Sequence, residues 1–146
     1  VRQADLAGAV VFGRNVTVGR NVHLSAYPHQ TLVLGDNVEI LAGDIVKGDV
    51  RIGDGSRIES GVNVTGSDEY PTRIGRNVLI KGTSYVFGSV IEDDVTILHS
   101  ILVRKHVERI ERKDGTTQAV RFYLPLPEGI DCVSERPAPG ALKGNA

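Results

Sequence analysis

Aliphatic residues return at every sixth position over most of this chain. One series runs Leu6, Phe12, Val18, Leu24, resumes at Leu34, Ile40, Val46, Ile52, Ile58, Val64, continues at Ile74, Ile80, Val86, and ends with Ile91, Ile97, Val103. A second series stands four residues behind the first: Val10, Val16, Val22, Val38, Val50, Val62, Val78, Val90, Val95, Ile101, Val107. An amphipathic helix needs spacings of three and four, and a hairpin sheet needs strict alternation interrupted by turns. A period of six fits neither. It predicts a parallel β-helix in which each hexad supplies one short strand and one turn, and three hexads make a triangular coil. Both series are expected to point inward, and the register counts about five coils.

The turn chemistry agrees. Asn15, Asn21, Asn37, Asp49, Gly55, Gly61, Asn77 and Asp94 stand at one position of the hexad. Gly, Asn and Asp are the residues that tolerate positive φ. The recurring Gly-Arg-Asn of 13–15, 19–21 and 75–77 is therefore read as turns and not as a phosphate cradle. After Val107 the period stops. Residues 108–124 alternate around Asp114-Gly115, which predicts a β-hairpin capping the open end of the solenoid. Pro125, Pro127, Pro137 and Pro139 exclude regular structure beyond it. The expected division is thus a β-helix at 1–107, then a hairpin cap and Pro-rich tail at 108–146.

The period is interrupted three times, and function on a rigid scaffold is expected where the scaffold is interrupted. Leu24 to Leu34 and Val64 to Ile74 each span ten residues, so each carries a four-residue insertion, while Val86 to Ile91 spans only five. Counted in hexads, the breaks fall at the fourth, tenth and thirteenth. These numbers differ by multiples of three, which puts all three on one corner of the prism. The two inserted loops are then two coils apart, roughly 10 Å. His29 is the expected general base, with Asp68 or Glu69 as its orienting carboxylate. Tyr27 and Tyr70 are the expected aromatic walls, and Lys47 and Asp49 lie on the coil between the loops. His23 is expected to point outward, with His99 and His106 at turns. Ser84, Ser89 and Ser100 are expected as small corner residues, since no base adjoins them in sequence.

Composition adds limits. The net charge of −1 gives no electrostatic case for nucleic acid or an anionic membrane. One cysteine, Cys132, excludes an internal disulfide and favours a reducing, cytoplasmic compartment. No apolar run is long enough to predict a membrane span. No pair of histidines has the spacing of a helical zinc motif, so no metal is expected. The chain opens on Val1 and lacks methionine, which leads us to expect a missing N-terminal catalytic domain.

The units "FGRNVT", "VGRNVH", "LGDNVE", "IGDGSR", "IESGVN" and "IGRNVL" resemble the bacterial hexapeptide-repeat transferase superfamily over residues 6–107. The resemblance implies a left-handed coil and a homotrimer. "GSVIEDDVTI" (88–97) and "HSILVRKHV" (99–107) look like the trailing repeats of sugar-phosphate nucleotidyltransferases. There the β-helix is a C-terminal domain packing subunits together. The Gly-rich nucleotide-binding segment that opens those enzymes is absent here. The alternative implied is a sugar O- or N-acyltransferase with an acyl-CoA co-substrate, although the Asn-to-His loop signature of its acetyltransferase branch is missing. A third relative, the γ-class carbonic anhydrases, pairs two histidines five apart, whereas His99 and His106 are seven apart.

Overall fold

A computed structural model describes residues 5–111 and 114–123. Among these there is no helix, and the strands form a parallel β-solenoid of about five turns matching a left-handed β-helix. Its three faces are three sheets. Face A stacks Asp5–Ala7, His23–Ser25, Ile45–Gly48, Asn63–Gly66, Tyr85–Phe87 and Ile101–Val103. Face B stacks Ala9–Phe12, Thr31–Leu34, Val50–Ile52, Thr72–Ile74, Val90–Ile91 and Lys105–Glu111, and face C runs from Thr17–Val18 to Thr96–Ile97. Successive coils are in register, so Leu24, Val46, Val64 and Val86 stack in one column and Ile40, Ile58, Ile80 and Ile97 in another. All eight are buried, because each aliphatic can leave water only against its equivalents in the coils above and below. In the first coil that cover is incomplete, and Phe12, aligned with the buried Leu34, is 37% exposed, while Val11, 50% exposed, stands on the outward row with Val33 and Arg51.

The turns use positive φ as the residue types require: Asn15, Asn21, Asn37, Asn77 and Asp94 lie between 54° and 63°. Asp49 is a correction. At its corner the left-handed residue is Gly48, at φ 92°, and Asp49 follows in a bend. A Cβ on Gly48 would stand 2.0 Å from the carbonyl oxygen of Gly66 in the next coil, so glycine is required there twice over.

Not every corner position facing inward is aliphatic. Ser56, Ser84 and Ser89 are buried with hydroxyls bonded to backbone. Ser84, for example, donates to Lys81 O and accepts from Ser100 N in the following coil. These hydroxyls are consumed by the turns. Asp44 is the more costly case. It lies fully buried between Val22 and Val62, its Oδ1 accepts from Val62 N at 2.8 Å, and Oδ2 has no partner among the described residues. Burial pushes its carboxyl up to about 7, against the opposing pull of backbone donors.

The last repeats differ from the strict count. Leu102, not Val103, continues the column of Val86 and is buried, while Ile101 is 76% exposed. Val107 then aligns with Ile91 on face B. The steps Ile97–Leu102–Val107 are thus five residues each, shortened like Val86–Ile91. Because β-strand side chains alternate, the shift turns Ile101 and Val103 to the outside. His106, expected in a turn, lies in this last strand with Nε2 2.7 Å from Glu92. The same strand continues out of the coil and pairs antiparallel with Thr117–Tyr123, forming the hairpin around Asp114-Gly115. The Pro-rich tail from 124 onward lies outside the described residues.

Candidate functional site

Both insertions and the shortened turn before Ile91 lie between face A and face B. The first loop joins Ser25 to Thr31, the second joins Gly66 to Thr72, and the shortened turn is Gly88-Ser89. Local chemistry shapes each. In the first loop Gln30 N donates to Tyr27 O at 2.8 Å, closing a β-turn with Pro28 at its second position, where the fixed φ suits the turn. In the second, Ser67 N donates to Tyr70 O while Ser67 Oγ accepts from Tyr70 N, both at 2.9 Å. Thr72 clamps the loop's base by donating to Thr65 O at 2.6 Å.

The loops meet across the intervening coil. His29 Nε2 stands 2.6 Å from Asp68 Oδ2, and Gln30 Nε2 donates to Asp68 Oδ1 at 2.7 Å. A carboxylate only accepts, so Asp68 receives two donors from the opposite loop, and the neutral His29 ring keeps its lone pair on Nδ1. The Gln30 bond, then the His29 bond, hold the Asp68 carboxyl below the ordinary carboxylate range. His29 and Asp68 are both more than half exposed, so the pair is open to a ligand. Gln30 is buried, and its amide is what fixes Asp68. It was not legible as a site residue, since a glutamine beside a loop histidine carries no motif.

Beneath the joined loops runs a groove of about 520 Å³ along the outer side of face A. Lys47, Thr65 and Phe87 contribute one outward row, and Asn63 and Tyr85 the neighbouring one. Tyr27, 55% exposed, lines the groove from its loop. Tyr70 does not. It turns away from the groove and is buried against Gly88, with the Arg104 guanidinium 5.6 Å from its ring centre. A Cβ on Gly88 would come within 2.6 Å of Tyr70 Cβ, so the shortened turn makes room for the ring that anchors the second loop. Tyr85 and Phe87 supply the aromatic surface instead. Asp49 also leaves the site, its carboxylate paired with Arg73 at 2.8 Å. Glu69 is exposed at the loop tip and is not part of the groove.

The other histidines are elsewhere. His99 Nδ1 contacts Gly82 O and Thr83 Oγ1 at the corner between faces C and A. Among the described residues no group of three or more His, Cys, Asp or Glu side chains could hold a metal ion, and no helix is long and apolar enough to cross a membrane. Compared with known proteins, the chain matches no family model and no curated protein sequence.

Proposed function

We propose that the corner groove binds a sugar and that His29 acts there as a general base in acyl transfer from a thioester donor such as acyl-CoA. The observation that carries this reading is the His29–Asp68 pair, formed by two insertions that meet over a third coil. Asp68 orients the ring and favours the proton on Nε2, leaving Nδ1 to accept one. In the reaction Nδ1 takes the proton of a sugar hydroxyl or amine, whose oxygen or nitrogen bonds to the thioester carbonyl carbon. The carbon–sulfur bond then breaks, and the leaving thiolate receives that proton from His29. Aromatic surface from Tyr27, Tyr85 and Phe87 suits the apolar faces of a sugar ring. The test is transfer from acetyl-CoA to a panel of hexoses and amino-hexoses, read as acetylated product. His29→Ala should lose turnover, by at least about a hundredfold for a general base, and keep the wild-type melting temperature. A wild-type protein that binds none of these sugars and acetylates none ends the proposal.

A second reading has its own support. Ile45 and Ile101 stand on one outward row of face A with Asn63 and Tyr85 between them, and Leu98, in the turn after Thr96–Ile97, is 64% exposed. Exposed apolar residues on a flat face suit packing against further copies, as in a homotrimeric β-helix domain attached or related to a sugar-phosphate nucleotidyltransferase. Sedimentation at tens of micromolar tests it; a monomer at that concentration counts against it.

A further inference from the structure

We infer that the groove receives an anionic group of its ligand, a phosphate ester, held by the Lys47 ammonium beside the His29–Asp68 pair. The inference rests on the reading of the groove as a binding site for a transfer reaction. It comes from counting which hydrogen-bonding groups in the groove are already used.

The groove's one carboxylate is already engaged, while the His29 Nδ1 lone pair and Gln30 Oε1, which has no donor among the described residues, stay open as neutral acceptors. Asp68 is the carboxylate of the groove, and its two oxygens take Gln30 Nε2 and His29 Nε2. The amide oxygen of Asn63 takes the Thr65 hydroxyl at 2.8 Å. The donor side is not spent. The Asn63 Nδ2 hydrogens have no acceptor among the described residues. The Ser67 hydroxyl accepts from Tyr70 N and keeps its own hydrogen. Lys47 brings three N–H donors and a full charge, and it too has no acceptor among the described residues.

Lys47 is also held where its charge matters. It sits mid-row on face A between Ser25 and Thr65, half-buried, with the inserted loops rising on one side. Two other cations at this corner lie outside the groove: Arg73 is neutralised by Asp49, and Arg104 stands over the Tyr70 ring. A neutral polyol can accept from the ammonium but leaves its charge uncompensated. A phosphate brings acceptors only and cancels the charge, and ammonium–phosphate contacts are among the stronger hydrogen bonds. Two sources carry that chemistry: a phosphate on the sugar, or a phosphate of the thioester donor.

Calorimetry at low salt separates them, with glucose-1-phosphate against glucose and coenzyme A against pantetheine, which lacks the phosphates. One phosphorylated probe should bind at least about tenfold tighter than its phosphate-free counterpart. Lys47→Gln should erase that difference and leave the melting temperature unchanged. A preference within the first pair assigns the phosphate to the sugar, and within the second pair to the donor. If phosphorylated and plain probes bind alike, or the preference survives Lys47→Gln, the inference fails while the groove stands as a binding site. If none of the four binds, the inference and the reading beneath it fall together.

Discussion

The corner between faces B and C and the corner between faces A and B belong to the same coils, yet they spend their polar groups in opposite ways. At the B–C corner the turns repeat one set of bonds. Asp36 accepts from Arg14 N, Asp54 from Asp36 N and Asp93 from Arg76 N, each at 2.7–2.8 Å to the coil before. Asn15 reaches Asn37, and Asn77 reaches Asp94, in a second ladder beside the first. A depression of about 310 Å³ lies there, but it is lined by groups already bonded to one another. At the A–B corner two insertions break the ladder. Their side chains bond over two coils, and a lysine, an asparagine amide and a serine hydroxyl are left without acceptors among the described residues. A repeat whose polar groups all serve the next coil is a scaffold. Where the repeat is broken, unspent groups become available for something outside the chain.

This contrast can be broken at several points. The largest effect should follow Gly48→Ala at the A–B corner. It combines a strained φ with a collision against backbone, and should cost about 2–5 kcal/mol in urea unfolding. Gly43→Ala at the corner between faces C and A, also at positive φ but with open space around it, should cost only about 1–2 kcal/mol. Equal losses would mean that the close approach of Gly48 to Gly66 is not a constraint.

Next comes the buried Asp44. Its folded-state carboxyl titrates near 7, above the ordinary value of 3.8, so the folded chain holds a proton that the unfolded chain has released in that interval. Stability should therefore be highest below about pH 4 with respect to this group, fall as pH rises toward 7, and level off above, by a few kcal/mol at most. Asp44→Asn should flatten that slope in urea midpoints taken across the range. An unchanged slope would place the titration elsewhere.

A smaller effect is expected at the B–C ladder. Asp54→Ala removes the acceptor of Asp36 N and should cost about 1 kcal/mol, with ligand binding at the groove unaltered. The smallest change in stability should be at the candidate site itself. His29→Ala alters an exposed side chain and should move stability by no more than about 0.5 kcal/mol. A loss of several kcal/mol there would make the His29–Asp68 pair a structural tie, and the comparison between the corners would fail.

The sequence by itself determined the six-residue period, the inward columns from Val18 to Ile97 apart from Val90, which faces outward beside Arg73, the turn residues, and the sharing of one corner by both insertions. These are legible because register is arithmetic: six residues make one strand and turn, and eighteen return to the same corner. It did not determine which of Ile101, Leu102 and Val103 enters the core, since three adjacent aliphatics satisfy the period equally and only packing against Val86 selects one. Nor did it show that Tyr70 folds under Arg104 while Tyr27 stays in the groove, or that Asp68 and not Glu69 pairs with His29, with Gln30 behind it. Loop side chains obey no period. Their directions are set by what lies across from them, here the absent Cβ of Gly88 and the donors of a loop 38 residues earlier, and only the folded chain brings those partners within reach.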